Sequence, residues 1–67
     1  SPEESLRSVR RAQVGRWWMQ LRPWSPGFRA EAHTISGPPG VWAGELRATL
    51  REATDDAVAM IEQLRHE

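Results

Sequence analysis

His33 lies two positions after Glu31, with Ser25 and Ser36 close by in the chain, and these are the nearest approach to a catalytic set. In an extended strand, positions 31 and 33 project to the same face, so the imidazole and carboxylate would be neighbours able to share a proton. Acid–base catalysis also needs a pocket and a third group to orient the imidazole, and a chain of 67 residues encloses little. The pair therefore reads as the polar face of a strand. Asp55 and Asp56 lack the glycine-containing loop that calcium requires, and read as a solvated helix face. Gly37 and Gly40 bracket Pro38 and Pro39, which remove the N–H donors a phosphate loop would use. Without cysteine, neither a disulfide nor a thiolate zinc site can form, and His33 and His66 are the only imidazoles. No enzyme activity, cofactor or metal is expected.

Recognition chemistry is better represented. Trp17, Trp18, Trp24 and Trp42 accompany nine arginines and no lysine. Tryptophan and arginine dominate binding hot spots because each joins a large contact area to a polar handle. A fold this small has room for two or three indoles inside, so Trp17, Trp18, Trp24, Phe28 and Trp42 must divide between core and contact surface. The expected partner-binding residues are Trp17, Trp18, Trp24, Trp42, Arg10, Arg11 and Arg16. Another protein chain or a homodimer is the first expectation for the partner. Nucleic acid is the alternative, with arginines on phosphates and indoles on unpaired bases. A membrane-surface helix would need indoles and arginines on opposite faces, and the formal net charge is zero.

Those residues need elements to place them. Ser1-Pro2-Glu3-Glu4 is a helix start: serine caps, proline fits the first turn, and Glu4 completes a capping box. Leu6, Val9 and Ala12 keep helical spacing, and Gly15 is the expected stop. Val14, Trp17, Trp18 and Leu21 also fit a helical face, so a helix running on to Leu21 stays open. Pro26-Gly27 suits the centre of a type II turn. Phe28 to Thr34 alternates in period two, the mark of a half-buried strand, and pairs naturally with residues 16–24 as a hairpin. After the Pro38-Pro39-Gly40 break, a short strand is expected at 41–46, although a single helix from residue 41 also fits the apolar spacing. Thr49-Leu50-Arg51-Glu52 is a second capping box and opens the last helix.

The expected fold is a single α+β domain: an N-terminal helix over 1–15, a three-stranded antiparallel β-meander over 16–48, and a C-terminal helix over 49–66. The alternative is an all-α helical hairpin, helices 2–21 and 41–66, acting as a self-association or docking element. Its loop of nearly 20 residues counts against it. A domain of this size buries only about 60% of its unfolded surface, so a partner or self-association is the expected source of extra stability. Charge is split along the chain. Residues 1–33 hold six arginines against three glutamates, and residues 34–67 hold three arginines against six acids, giving +3 and −3. The simplest reading is mutual neutralisation, and the other is a basic surface for phosphate or an acidic protein. No apolar run reaches the roughly 18 residues of a membrane span, and no signal-peptide pattern is present. A cytoplasmic chain with no membrane partner is expected, either trimmed of its initiator Met or a piece of a longer protein.

Gly27-Phe28-Arg29-Ala30, then Pro39-Gly40-Val41, then Thr49-Leu50-Arg51-Glu52-Ala53 with Ala57 and Ile61-Glu62 in step, form an ordered series. From Trp17 to Leu64 the chain thereby resembles the N-terminal domain of the HicB-like antitoxins. The resemblance implies a β-β-β-α layer that covers the active surface of a small RNase toxin. The function expected is a non-enzymatic macromolecular binding module, antitoxin-like on this resemblance.

Overall fold

The computed structural model describes residues 1–66, ordered as α1 (Pro2–Ser8), β1 (Arg11–Val14), β2 (Trp17–Trp24), β3 (Gly27–Thr34), β4 (Val41–Ala43) and α2 (Leu50–Arg65). The architecture is α+β. Four strands, one more than expected, form an antiparallel sheet in the order β1-β2-β3-β4. The all-α hairpin is overturned, because residues 17–24 and 41–43 are strands. Trp17 and Trp18 consequently point to opposite sides of the sheet instead of sharing a helical stripe.

The start of α1 follows its sequence. The Ser1 hydroxyl accepts from the Glu4 N–H, and the Glu4 carboxylate accepts from the Ser1 ammonium, both at 3.4 Å. The helix ends at Ser8 and not at Gly15. Leu6 is its one buried side chain and Val9 is 66% exposed, so positions 6, 9 and 12 are not a helical stripe. The amides of Val9 and Arg10 both donate to the Ser5 carbonyl, at 2.8 and 3.0 Å, and Arg10 then turns the chain at φ 66°. Arg11 to Val14 pair with Gln20 to Trp17, which leaves Gly15-Arg16 as a two-residue hairpin turn. Gly15, at φ 58°, supplies the left-handed residue of that turn.

β2 and β3 pair from Trp17↔Thr34 to Trp24↔Gly27, so the turn between them is Ser25-Pro26, with a cis peptide bond. The expected type II turn is absent, since Gly27 already belongs to β3 and has no positive φ. Space demands the glycine instead: a Cβ at position 27 would overlap the Arg47 carbonyl. There Phe28 and Arg47 exchange two backbone hydrogen bonds of 2.8 Å. β4 is shorter than the expected 41–46. The Gly44 N–H still donates to the Ala30 carbonyl at 2.8 Å, then Glu45 and Leu46 bulge out before pairing resumes at Arg47.

Both helices cover one side of the sheet. Ala12, Met19, Leu21, Ala30 and Ala32 alternate inward along β1 to β3 and meet Leu6 of α1 and Ala53, Ala57 and Ile61 of α2. The last three, spaced by four, make one stripe, and the alanines let the helix lie close to the strands. Thr49 caps α2: its hydroxyl accepts from the Glu52 N–H at 3.2 Å and donates to the Glu52 carboxylate at 2.8 Å. Arg47 grips Asp56 with two hydrogen bonds of 2.8 and 3.1 Å, fixing the bulge to α2. Arg65 reaches Glu3 at 2.7 Å and joins the two helices.

Candidate functional site

The alternation that sends alanines inward sends the larger polar side chains outward. No helix lies on that outer side among the described residues. Four rows cross it, set by strand register. One row is Gln13, Trp18, His33 and Val41; the next is Arg11, Gln20, Glu31 and Ala43. Then Arg22 stands opposite Arg29, and Trp24 opposite Gly27. Ile35, half exposed, continues the apolar end beyond His33. The six residue steps from Trp18 to Trp24 give the face a length of about 20 Å along β2.

The chemistry of this face is dominated by donors. Arg11, Arg22 and Arg29 stand against one carboxylate, Glu31. Arg22 reaches that carboxylate at 3.5 Å, a weak exposed pair. Among the described residues, Arg29 has no carboxylate in ion-pair reach, and its buried Nε has no acceptor. The Arg29 and Arg22 guanidiniums stand 5.2 and 5.9 Å from the centre of the Trp24 ring, within cation–π range. Like charges directly opposite one another across a strand pair repel, and here two arginines do so beside an indole.

The expected site residues separate. Trp18, Trp24 and Arg11 come together on the open face. Trp17 and Trp42 point the other way and pack against the core. Arg16 is structural: its Nη1 donates to the Pro38 and Ser36 carbonyls at 2.7 and 3.4 Å, and its guanidinium lies 5.6 Å from the Trp17 ring centre. Arg10 is the left-handed linker between α1 and β1. Sequence reasoning missed Arg22, Arg29, Gln13 and Gln20 as site residues. Their signal was period two: Trp18, Gln20, Arg22 and Trp24 share a face once residues 17–24 are read as a strand.

Two open clefts lie elsewhere. One, of about 320 Å³, sits between β4 and α2 over Trp42 and Met60, with the paired Arg47 and Asp56 on its wall. The other, of about 430 Å³, is bordered by Arg7, Leu50, Arg51, Thr54 and Asp55. In the second, the Thr54 hydroxyl is used by the Leu50 carbonyl at 2.7 Å. His33 and Glu31 share the open face, and neither lines the two clefts above. Among the described residues, no group of three or more His, Asp or Glu is placed to hold a metal ion. No helix among the described residues is long and apolar enough to cross a membrane.

The fold and its open face define a small α+β scaffold with one helix-covered and one open sheet surface. Comparison with protein-family models, curated proteins and solved structures finds no match to the chain.

Proposed function

We propose that this chain is a non-enzymatic binding module that holds an anionic macromolecule on the open face of its sheet. The observation that carries this reading is the row in which Arg22 faces Arg29 beside Trp24, without enough carboxylate to neutralise it. Such an arrangement costs stability in the free protein and gains it when an anion arrives. A second copy placed face to face would set three arginines against three, so this face repels itself. Residues of Trp and Arg type at the centre of a contact surface would supply most of the affinity.

A second reading is favoured by a different surface. The order β2-β3-β4-α2 agrees with the layer implied by the antitoxin resemblance. An RNase active surface binds phosphates and is therefore cationic, so the basic sheet face would repel it. The exposed acids of α2, Glu52, Asp55 and Glu62, have the matching sign. The two readings are separated by a photoactivatable cross-linker placed at His33 on the sheet or at Ala59 on α2. Cross-linking of a partner from position 33 alone supports the open-face module. Cross-linking from position 59 alone overturns it in favour of the antitoxin-like inhibitor.

A further inference from the structure

We propose that the occupant of the open face is a single strand of nucleic acid; this rests on the open-face reading above. The face presents Arg11, Gln13, Gln20, Arg22, Arg29 and His33, together with two indoles, against the single carboxylate of Glu31. That is the complement of a strand rich in acceptors: phosphate oxygens for arginine, base edges for glutamine and histidine. An acidic protein would also engage the arginines and indoles; two amides in line with them favour a ligand that carries hydrogen-bonding base edges beside its phosphates.

Position adds to composition. β2 is an inner strand, so Trp18 lies at the middle of the sheet, half-buried between the rows of β1 and β3. A half-buried indole on a sheet face with no helix over it is a stacking platform for a base. Arg22 and Arg29 are directly paired, with Cα atoms about 5 Å apart, close enough for one phosphate to bridge both guanidiniums. The bridge would remove the repulsion that the free face carries. The strand then runs along β2, with a base on Trp18 and phosphates near Arg22 and Arg29 towards Trp24. A duplex is the poorer ligand. Its major groove, about 12 Å wide, admits a helix or a two-stranded ribbon and not a four-stranded sheet, and its bases are already stacked.

The test is a titration of the whole chain into fluorescein-labelled oligo(U), oligo(dU) and oligo(dT) of about ten nucleotides, read by anisotropy, with a duplex and poly-glutamate as competitors. Binding to single strands is expected, with the duplex and poly-glutamate competing poorly. Two to three neutralised phosphates predict a logarithmic salt slope of about −1.4 to −2.1, so affinity falls about 7- to 18-fold between 50 and 200 mM salt. Trp18→Ala is expected to weaken binding about tenfold or more and keep the salt slope. Arg29→Gln is expected to weaken binding and to reduce the slope by no more than about 0.7, since Arg22 still holds the shared phosphate. As an exposed-face change, it also tests the proposal if Trp18→Ala does not fold. A preference for oligo(U) over oligo(dU) assigns a 2′-hydroxyl contact and RNA; equal binding or a preference for the deoxy strands assigns backbone and base recognition alone, and each supports the proposal. If poly-glutamate binds as tightly and Trp18→Ala changes nothing, the nucleic-acid proposal is overturned while an acidic protein partner stands. If neither polyanion binds, the open-face reading falls as well.

Discussion

At the scale of single residues, the four tryptophans do two different jobs, and strand parity decides which. Trp42 packs against the core from β4, whereas Trp24 is 44% exposed and touches arginines. Trp42→Ala should therefore cost about 2–3 kcal/mol, somewhat below the range for a fully buried indole, and Trp24→Ala less than about 1 kcal/mol. Urea unfolding monitored by far-UV circular dichroism checks both; equal losses would contradict the assignment of faces. Arg10 carries a second local cost, since a residue with a Cβ at φ 66° sits in a region that glycine enters freely. Arg10→Gly should raise stability by up to about 1 kcal/mol, or about 4–8 °C in melting temperature. An unchanged or lower midpoint would mean that the arginine side chain makes a compensating contact. That the indoles divide between core and surface was readable from the chain, but which of them faces the helices was not. Adjacent Trp17 and Trp18 satisfy a helical stripe as well as a strand, and only pairing with His33 and Thr34 puts them on opposite sides.

At the scale of elements, legibility followed length and capping. α2 was legible because a Thr49 cap, an apolar stripe and 16 residues of helix agree with one another. The hairpin of β2 and β3 was legible from its turn residues and the alternation after Phe28. β1 was not: four residues, Arg-Ala-Gln-Val, carry too little pattern to outweigh the strong helix start before them. α1 is short, and one of its side-chain ties to the rest of the molecule is the Glu3–Arg65 bridge. The Glu3 carboxyl is held below its ordinary pKa, first by hydrogen bonding to backbone N–H and then by the charge of Arg65. A depressed carboxylate stabilises the fold fully above its unfolded pKa and loses that contribution as pH falls through the folded value. Acidification through and below the ordinary glutamate range should thus loosen α1 from α2. Glu3→Gln should be less stable at neutral pH and show a shallower loss over that window. Parallel acid limbs in the two proteins would show that the bridge contributes nothing.

At the scale of the whole molecule, the thinness of the core and the function proposed for the sheet are connected. Five of the nine buried apolar residues are alanines, leaving Leu6, Met19, Leu21 and Ile61 as the large ones. Such a core is marginal, as expected for a domain this small. The charge division seen along the sequence becomes a division between surfaces: Arg11, Arg22 and Arg29 gather on the open face, while α2 holds four acids against two arginines. The asymmetry was visible in the sequence, but its orientation was not, because it depends on strand register. A marginal fold with an unneutralised face should be stabilised strongly by whatever binds there. A ligand at about 100 times its Kd adds about 2.7 kcal/mol to a protein that binds it only when folded. For a domain of this size that is a rise of about 11–22 °C in melting temperature. Calorimetry with saturating single-stranded oligonucleotide checks the figure. The Arg22→Gln, Arg29→Gln double variant should melt no lower than the original protein when free, since repulsion has been removed, yet should gain much less from the ligand. A double variant that melts well below the original when free would show that the paired arginines support the fold, and the face would lose its claim to be built for an anion.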